Sequence, residues 1–384
     1  VTVGPELLSL GACNGPCTIG DIIFNTVGDY DYICSIGSHA SLGMVGTISV
    51  LENDLPFQAQ TKEELQTAVD LWIDDNSSAL AMYGEINTWD VSLITDMSYL
   101  FRDKSTFNSD ISNWDVSNVT DMSQMFRGAA SFNQYLGSWV LNNVTSMYML
   151  FEGASSFNSD ISGWDVSNVT IMNRTFSNAS NFNQDISNWD VSNVTRMDYL
   201  FSGTAFNYDL SSWNVQNVTN MRAMFLGAGS FNQPLNNWDV SSVVMMNEMF
   251  KGAGSFNQPL NDWDVSNVFD MYNMFFNASD FNQDISNWDI SNVVVMADLF
   301  QGASALSAQN KCTIHTSWSS NPYWPYDWIE FCSVLVFQPQ TKEELQIAVD
   351  LWVDDNATAL TTYGDVNTWD VSLITNMESL FANS

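Results

Sequence analysis

The chain has 384 residues, enough for two or more domains, and 45% of them are hydrophobic, enough to bury a core. Ten Lys and Arg stand against 44 Asp and Glu, a net charge of −34, which excludes a binder of the nucleic-acid backbone and sets the chain against an anionic membrane surface. No apolar run is long enough to span a bilayer, and Val1-Thr2-Val3-Gly4 has neither the basic start nor the apolar stretch of a secretory leader.

Both ends read as interrupted: the chain starts inside what reads as a domain and stops partway through a repeat. The five cysteines fall in two groups, Cys13, Cys17 and Cys34, then Cys312 and Cys332, with none between. That pattern predicts disulfide-stapled ends around a cysteine-free middle in an oxidising, extracellular compartment. The first segment, residues 1–52, carries Cys34, His39 and Met44. Residues 53–88 read as a helical N-terminal cap. Thr61-Lys-Glu-Glu64 has the form of a capping box, and Leu65, Ala68, Val69 and Trp72 share one helix face.

Residues 89–310 are a repeat. Trp recurs at 89, 114, 139, 164, 189, 213, 238, 263 and 288, every 25 residues with one step of 24. Met lies eight residues after each Trp and Phe twelve after it, as in Trp114, Met122 and Phe126. A strict period of this length predicts an α/β solenoid of about nine coils, leucine-rich-repeat-like, with a short strand plus a short helix per coil. In the unit from Ile111 to Gln134, Ile111, Trp114 and Val116 predict the strand. Thr120 and Asp121 predict the cap of a helix bearing Met122, Met125 and Phe126, which Gly128 ends in the left-handed conformation. Asn178 and Asn277 replace that glycine in two copies, as the geometry allows.

Residues 311–336 hold Cys312, Cys332 and an aromatic cluster around Trp324, and predict a disulfide-closed capping loop. From 337 to 384 the chain begins again. Phe57-Gln-Ala-Gln-Thr-Lys-Glu-Glu-Leu-Gln66 returns as Phe337-Gln-Pro-Gln-Thr-Lys-Glu-Glu-Leu-Gln346, an offset of 280, so a second cap-plus-repeat module starts there.

Several repeated polar residues are candidate sites. Asp90, Asp115, Asp165, Asp190, Asp239, Asp264 and Asp289 form a column one residue after Trp. In a stack they would stand about 5 Å apart, so solvent, backbone N–H donors or bridging Ca²⁺ must offset their repulsion. Turn formation by Asp is the leading reading and calcium the alternative. The Asn four residues after Trp (Asn118, Asn143, Asn168, Asn193, Asn217, Asn267 and Asn292) forms another column, read as an internal hydrogen-bond ladder although several copies spell Asn-Val-Thr. Sequons at Asn76, Asn173, Asn178, Asn277 and Asn356 are the glycosylation candidates. The Met column reads as core, not as a soft-metal site. With two histidines and no nucleophile motif, the chain reads as non-enzymatic; a reaction centre should break the repeat, and no coil does so.

The phrase Asn113-Trp-Asp-Val-Ser-Asn-Val-Thr-Asp-Met-Ser-Gln-Met-Phe126 resembles the BspA-like surface-protein repeat, a leucine-rich-repeat relative, over roughly 57–306 and 337–381. The resemblance implies a cell-surface structural or adhesive role, as part of a surface layer, appendage or filament, with other copies of itself, other surface proteins or glycans as partners. It brings no catalytic residues. Gly28-Asp-Tyr-Asp-Tyr-Ile-Cys34 through His39 and Met44 to Val50 resembles the last two strands of a cupredoxin. That likeness implies copper held by Cys34, His39 and Met44 in a redox protein with a repeat appendage. The family's upstream His has no counterpart in residues 1–33. If Cys34 is a ligand, Cys13 pairs with Cys17 and Cys312 with Cys332; if not, Cys34 pairs with Cys13 or Cys17.

Overall fold

The computed structural model describes residues 28–33, 45–50, 56–332, 337–378 and 380. Two compact units divide the chain, residues 1–95 with 109–118, and residues 96–108 with 119–384.

The first unit holds an antiparallel pair, β1 (Gly28–Ile33) and β2 (Val45–Val50), in the register Gly28↔Val50 to Ile33↔Val45. These are the only strands among the described residues. A β-sandwich needs two packed sheets, so the expected cupredoxin-like segment is not supported. Helix α1 (Lys62–Asp74) starts where the Thr61 hydroxyl accepts the Glu64 N–H, while the Glu64 carboxylate reaches back to the Gln60 N–H. Its buried residues are Leu65, Ala68, Val69 and Trp72. Asp75 ends α1 and caps α2 (Asn76–Tyr83), accepting the Ser78 N–H. Trp89 and Trp114 then stack at 6.3 Å, and the Trp114 indole donates to the Ile86 carbonyl at 2.8 Å.

The second unit contains a stack of coils. One column of rings runs from Phe101 to Phe300 with successive centroids 5.3–6.0 Å apart. A second, from Phe107 to Phe281, lies beside it. The indoles of Trp164, Trp189, Trp213, Trp238, Trp263 and Trp288 anchor to the preceding coil, as where Trp164 donates to Leu136 and Trp189 to Ile161. Met and Phe columns are buried throughout. Truncating one such ring to Ala would cost about 3–5 kcal/mol.

The coils themselves correct the expected α/β solenoid. Among the described residues no coil contains a strand or a helix; each is a run of turns with one residue bridged in parallel to the next coil, in the series Asp96, Asp121, Ser146, Ile171, Arg196 onward to Val295. The predicted strand bends twice, because Asp carboxylates capture the N–H two residues on at Ser112 and Ser117. The predicted helix fails at Gln124, whose φ of 59° puts it in the left-handed region two residues after Met122. The N–H groups of Met122, Gln124, Phe126 and Gly128 then donate to the next coil, at Ser146, Tyr148, Leu150 and Glu152, and not to carbonyls four residues back. The left-handed ending does occur, at Gly128 (φ 70°), Asn178 (58°) and Asn277 (56°). The leucine-rich-repeat geometry is therefore replaced by a ladder of backbone bonds between turns.

The stack ends in α3 (Ala308–Trp318) and α4 (Ile329–Cys332). Trp318 stacks on Trp288 at 6.2 Å in the place of a further indole. Farther on, α5 (Lys342–Asp354) and α6 (Asn356–Tyr363) repeat the caps of α1 and α2, with Thr341 accepting from Glu344 and Asp355 from Thr358. This module has its own core of Leu345, Ala348, Val349, Trp369 and Leu380.

Candidate interaction surface

The aspartate column sits in turns. Oδ1 of Asp115, Asp165, Asp190, Asp239, Asp264 and Asp289 accepts the N–H of the serine two residues on at 3.0–3.1 Å. The Ser hydroxyl and N–H hold Asp165, Asp190 and Asp264 below the usual carboxylate range, and the Ser291 N–H and hydroxyl do so for Asp289. Asp165 pushes Asp190 up, and Asp264 pushes Asp289 up, more weakly. Burial pushes Asp90 up as well, but the Ser92 hydroxyl, its N–H and the Gln58 amide outweigh it. Each of these carboxylates is thus engaged by its own turn, and among the described residues no group of three or more metal-ligating side chains comes together.

Asn side chains build two ladders. In the expected column, Nδ2 of Asn118, Asn168, Asn193, Asn217, Asn267 and Asn292 donates to a carbonyl of the preceding coil at 2.7–2.8 Å. The other ladder follows the second Phe column and was not singled out from the sequence. Oδ1 of Asn108, Asn133, Asn158, Asn183, Asn207, Asn232 and Asn257 accepts the N–H of its counterpart one coil on. Its signal was the invariant Phe-Asn pair.

Among the sequons, Asn76 and Asn356 are exposed in the first turns of α2 and α6, and Asn178 and Asn277 are exposed at left-handed turns. Asn173 is 6% exposed, and the hydroxyl of its sequon Thr175 donates to Met147 and Met172 carbonyls, so that site is closed to a glycan. Cys312 and Cys332 are joined with Cα atoms 4.8 Å apart. Cys13, Cys17, Cys34, His39 and Met44 lie outside the described residues.

One face departs from the repeat. Arg127, Glu152, Arg174, Tyr199, Arg222, Glu248 and Lys251 come from successive coils and form a continuous ridge. Glu152 bridges Arg127 (2.8 Å) and Arg174 (3.1 Å). The guanidinium carbons of Arg174 and Arg222 lie 4.2 and 5.4 Å from the Tyr199 ring centre. Glu248 bridges Arg222 (3.6 Å) and Lys251 (2.7 Å), whose ammonium lies 5.5 Å from the Phe276 ring. Such contacts are worth little singly, but each carboxylate here serves two cations. The Glu152 carboxylate raises the pKa of Arg127 further. The ridge does not follow the recurring residues; its signal lay in the positions nine, ten and thirteen residues after Trp, which vary from copy to copy.

A groove of about 480 Å³ in the first unit is lined by Phe57, Gln58, Gln60, Glu63, Glu64, Thr67 and Tyr83. The rings of Phe57 and Tyr83 meet at 4.6 Å.

A family model described as a Mycoplasma protein of unknown function, DUF285, matches residues 74–180, 157–244, 204–318 and 353–384, more than half of the chain. The chain belongs to this family. The DUF285 matches cover the coil stack and resume in the second module after the body of α5. No curated protein matches this DUF285 chain. Among its described residues no helix is long and apolar enough to cross a membrane.

Proposed function

We propose that this chain is a non-enzymatic structural or adhesive component of an extracellular surface assembly, acting through contacts with other copies of itself or with other surface proteins. The observation that carries the reading is the module's recurrence. Thr61 and Thr341, Asp75 and Asp355, and the paired helices they cap are the same device used twice in one chain. Tandem modules multiply contacts at fixed spacing, which suits assembly and avidity. Exposed sequons at Asn76, Asn178, Asn277 and Asn356 fit a glycoprotein. Immunogold electron microscopy of the producing cells tests this: label on a surface layer, appendage or fibre is expected, and label confined to the cell interior overturns it.

A second reading is a glycan-binding receptor module. The groove beside Phe57 and Tyr83 favours it, since aromatic rings flanked by amide and carboxylate side chains suit a sugar. Glycan-array binding that Tyr83→Ala abolishes would support it; an array without signal would count against it.

A further inference from the structure

The chain carries ten Lys and Arg, and four of them, Arg127, Arg174, Arg222 and Lys251, stand in one ridge. The ridge carboxylates are the inner layer. Glu152 and Glu248 keep 13% and 16% of their side-chain surface, while Arg127 and Arg174 each keep 33%, Lys251 31% and Arg222 44%. Beside Arg127 stands Asp103, which Arg102 offsets at 3.4 Å; within the ridge four cations against two anions leave a net positive strip on a chain of −34. Two exposed acid columns run along the same stack, Asp160, Asp185 and Asp209 in one and Asp165, Asp190, Asp239 and Asp264 in the other.

Strip and columns share one ruler. Both ride on coils joined by parallel bridges, which sets a repeat of about 4.8 Å. Arg127, Arg174 and Arg222 recur every second coil, about 10 Å apart, against carboxylates recurring about every 5 Å. A partner whose anions follow the same repeat meets the cations in register, and a second copy of this chain carries such anions.

We propose that the ridge from Arg127 to Lys251 is the lateral contact through which one copy receives the aspartate columns of a second. This rests on reading the chain as a component that assembles. The planar guanidinium groups of Arg174 and Arg222, braced on Tyr199, present donors suited to carboxylates. The net charge sets the condition for contact. At about 0.01 M salt the Debye length is about 30 Å and copies repel as whole objects; at about 0.15 M it is about 8 Å, and short-range complementarity decides. At about 1 M the contact itself is screened. Association therefore passes through a maximum with salt.

The test uses the purified full chain in sedimentation velocity, so that a wrong cellular location leaves it standing. One variant carries Arg174→Gln and Arg222→Gln. The other carries Asp160→Asn, Asp165→Asn, Asp185→Asn and Asp190→Asn, which keeps the side-chain acceptor each turn needs. Near-ultraviolet circular dichroism checks that both keep the native fold, with Lys251→Gln as the milder replacement. Each variant alone is expected to associate at least tenfold more weakly at about 0.15 M salt, and an equimolar mixture to recover association, since each retains the half the other lacks. A wild-type chain monomeric at every salt, variants that associate unchanged, or a mixture that stays dissociated would overturn the proposal. Binding of a soluble acidic polysaccharide to the ridge, with no self-association, would overturn it too.

Discussion

The hydroxyl oxygen of Tyr326 accepts the backbone N–H of Phe300 at 2.8 Å, where every earlier Phe of the column donates to a carbonyl of the following coil. A side chain thus ends the backbone ladder. Trp318 takes the place of the next indole, and the Asn321 amide closes the carbonyls of Ile290 and Val293. The second module shows the complementary device at a first coil, where Lys342 and Gln346 of α5 donate to the Glu378 and Leu380 carbonyls. Covered edges discourage end-to-end stacking.

Tyr326→Phe should therefore loosen the last coil. It leaves the Phe300 N–H without its acceptor, at a cost of about 1–3 kcal/mol. Burial, with Asp298 adding, pushes the Tyr326 hydroxyl up to about 12. Its contribution is fully present below about pH 10, the ordinary value, and is lost as pH rises through about 12. Urea unfolding from pH 8 upward should show a decline near pH 10–12 in the native chain that Tyr326→Phe reduces. Hydrogen exchange at the Phe300 amide should accelerate at neutral pH.

Gly227→Ala isolates the backbone term. Gly227 has φ 66°, and nothing lies within 4 Å of an added methyl, so the loss should be about 1 kcal/mol. At Gly302 an added methyl would meet the Asn277 side chain, and Gly302→Ala should cost more. Calorimetry of both variants gives the order; equal losses would show that the Asn277 contact adds nothing to the left-handed term the two glycines share.

The second Asn ladder needs an acceptor, not an amide. Asn158 Oδ1 takes the Asn183 N–H at 2.8 Å. Asn158→Ala should lose about 1–3 kcal/mol by leaving that donor unpaired, and Asn158→Asp should lose much less. Equal destabilisation in chemical denaturation would place the role of Asn158 in packing.

Asp165, Asp190, Asp264 and Asp289 have folded values held below 3.8. Their contribution is present above about pH 4 and disappears as pH falls through those lowered values. Replacing Asp165 and Asp190 by Asn keeps the turn acceptor and removes the titration, so the fall in Tm below about pH 4 should become shallower. Since each carboxylate serves its own turn, EDTA or added Ca²⁺ should leave Tm where matched ionic strength leaves it; a Ca²⁺-specific rise would point to bridging ions.

The sequence by itself determined the 25-residue register, the buried Trp, Met and Phe columns, the first Asn ladder and the duplication at residue 337. Buried side chains must match in volume from coil to coil, and that requirement is written as periodicity. Only the tertiary structure decided the path of the backbone. Gln124, Arg174, Tyr199 and Glu248 share one left-handed position that their side chains do not announce. What holds it is a row of N–H groups donating to the next coil, and every non-proline residue has that group. The ridge from Arg127 to Lys251 was hidden for a related reason: its members stand at three different places in the repeat, and only stacking brings them side by side.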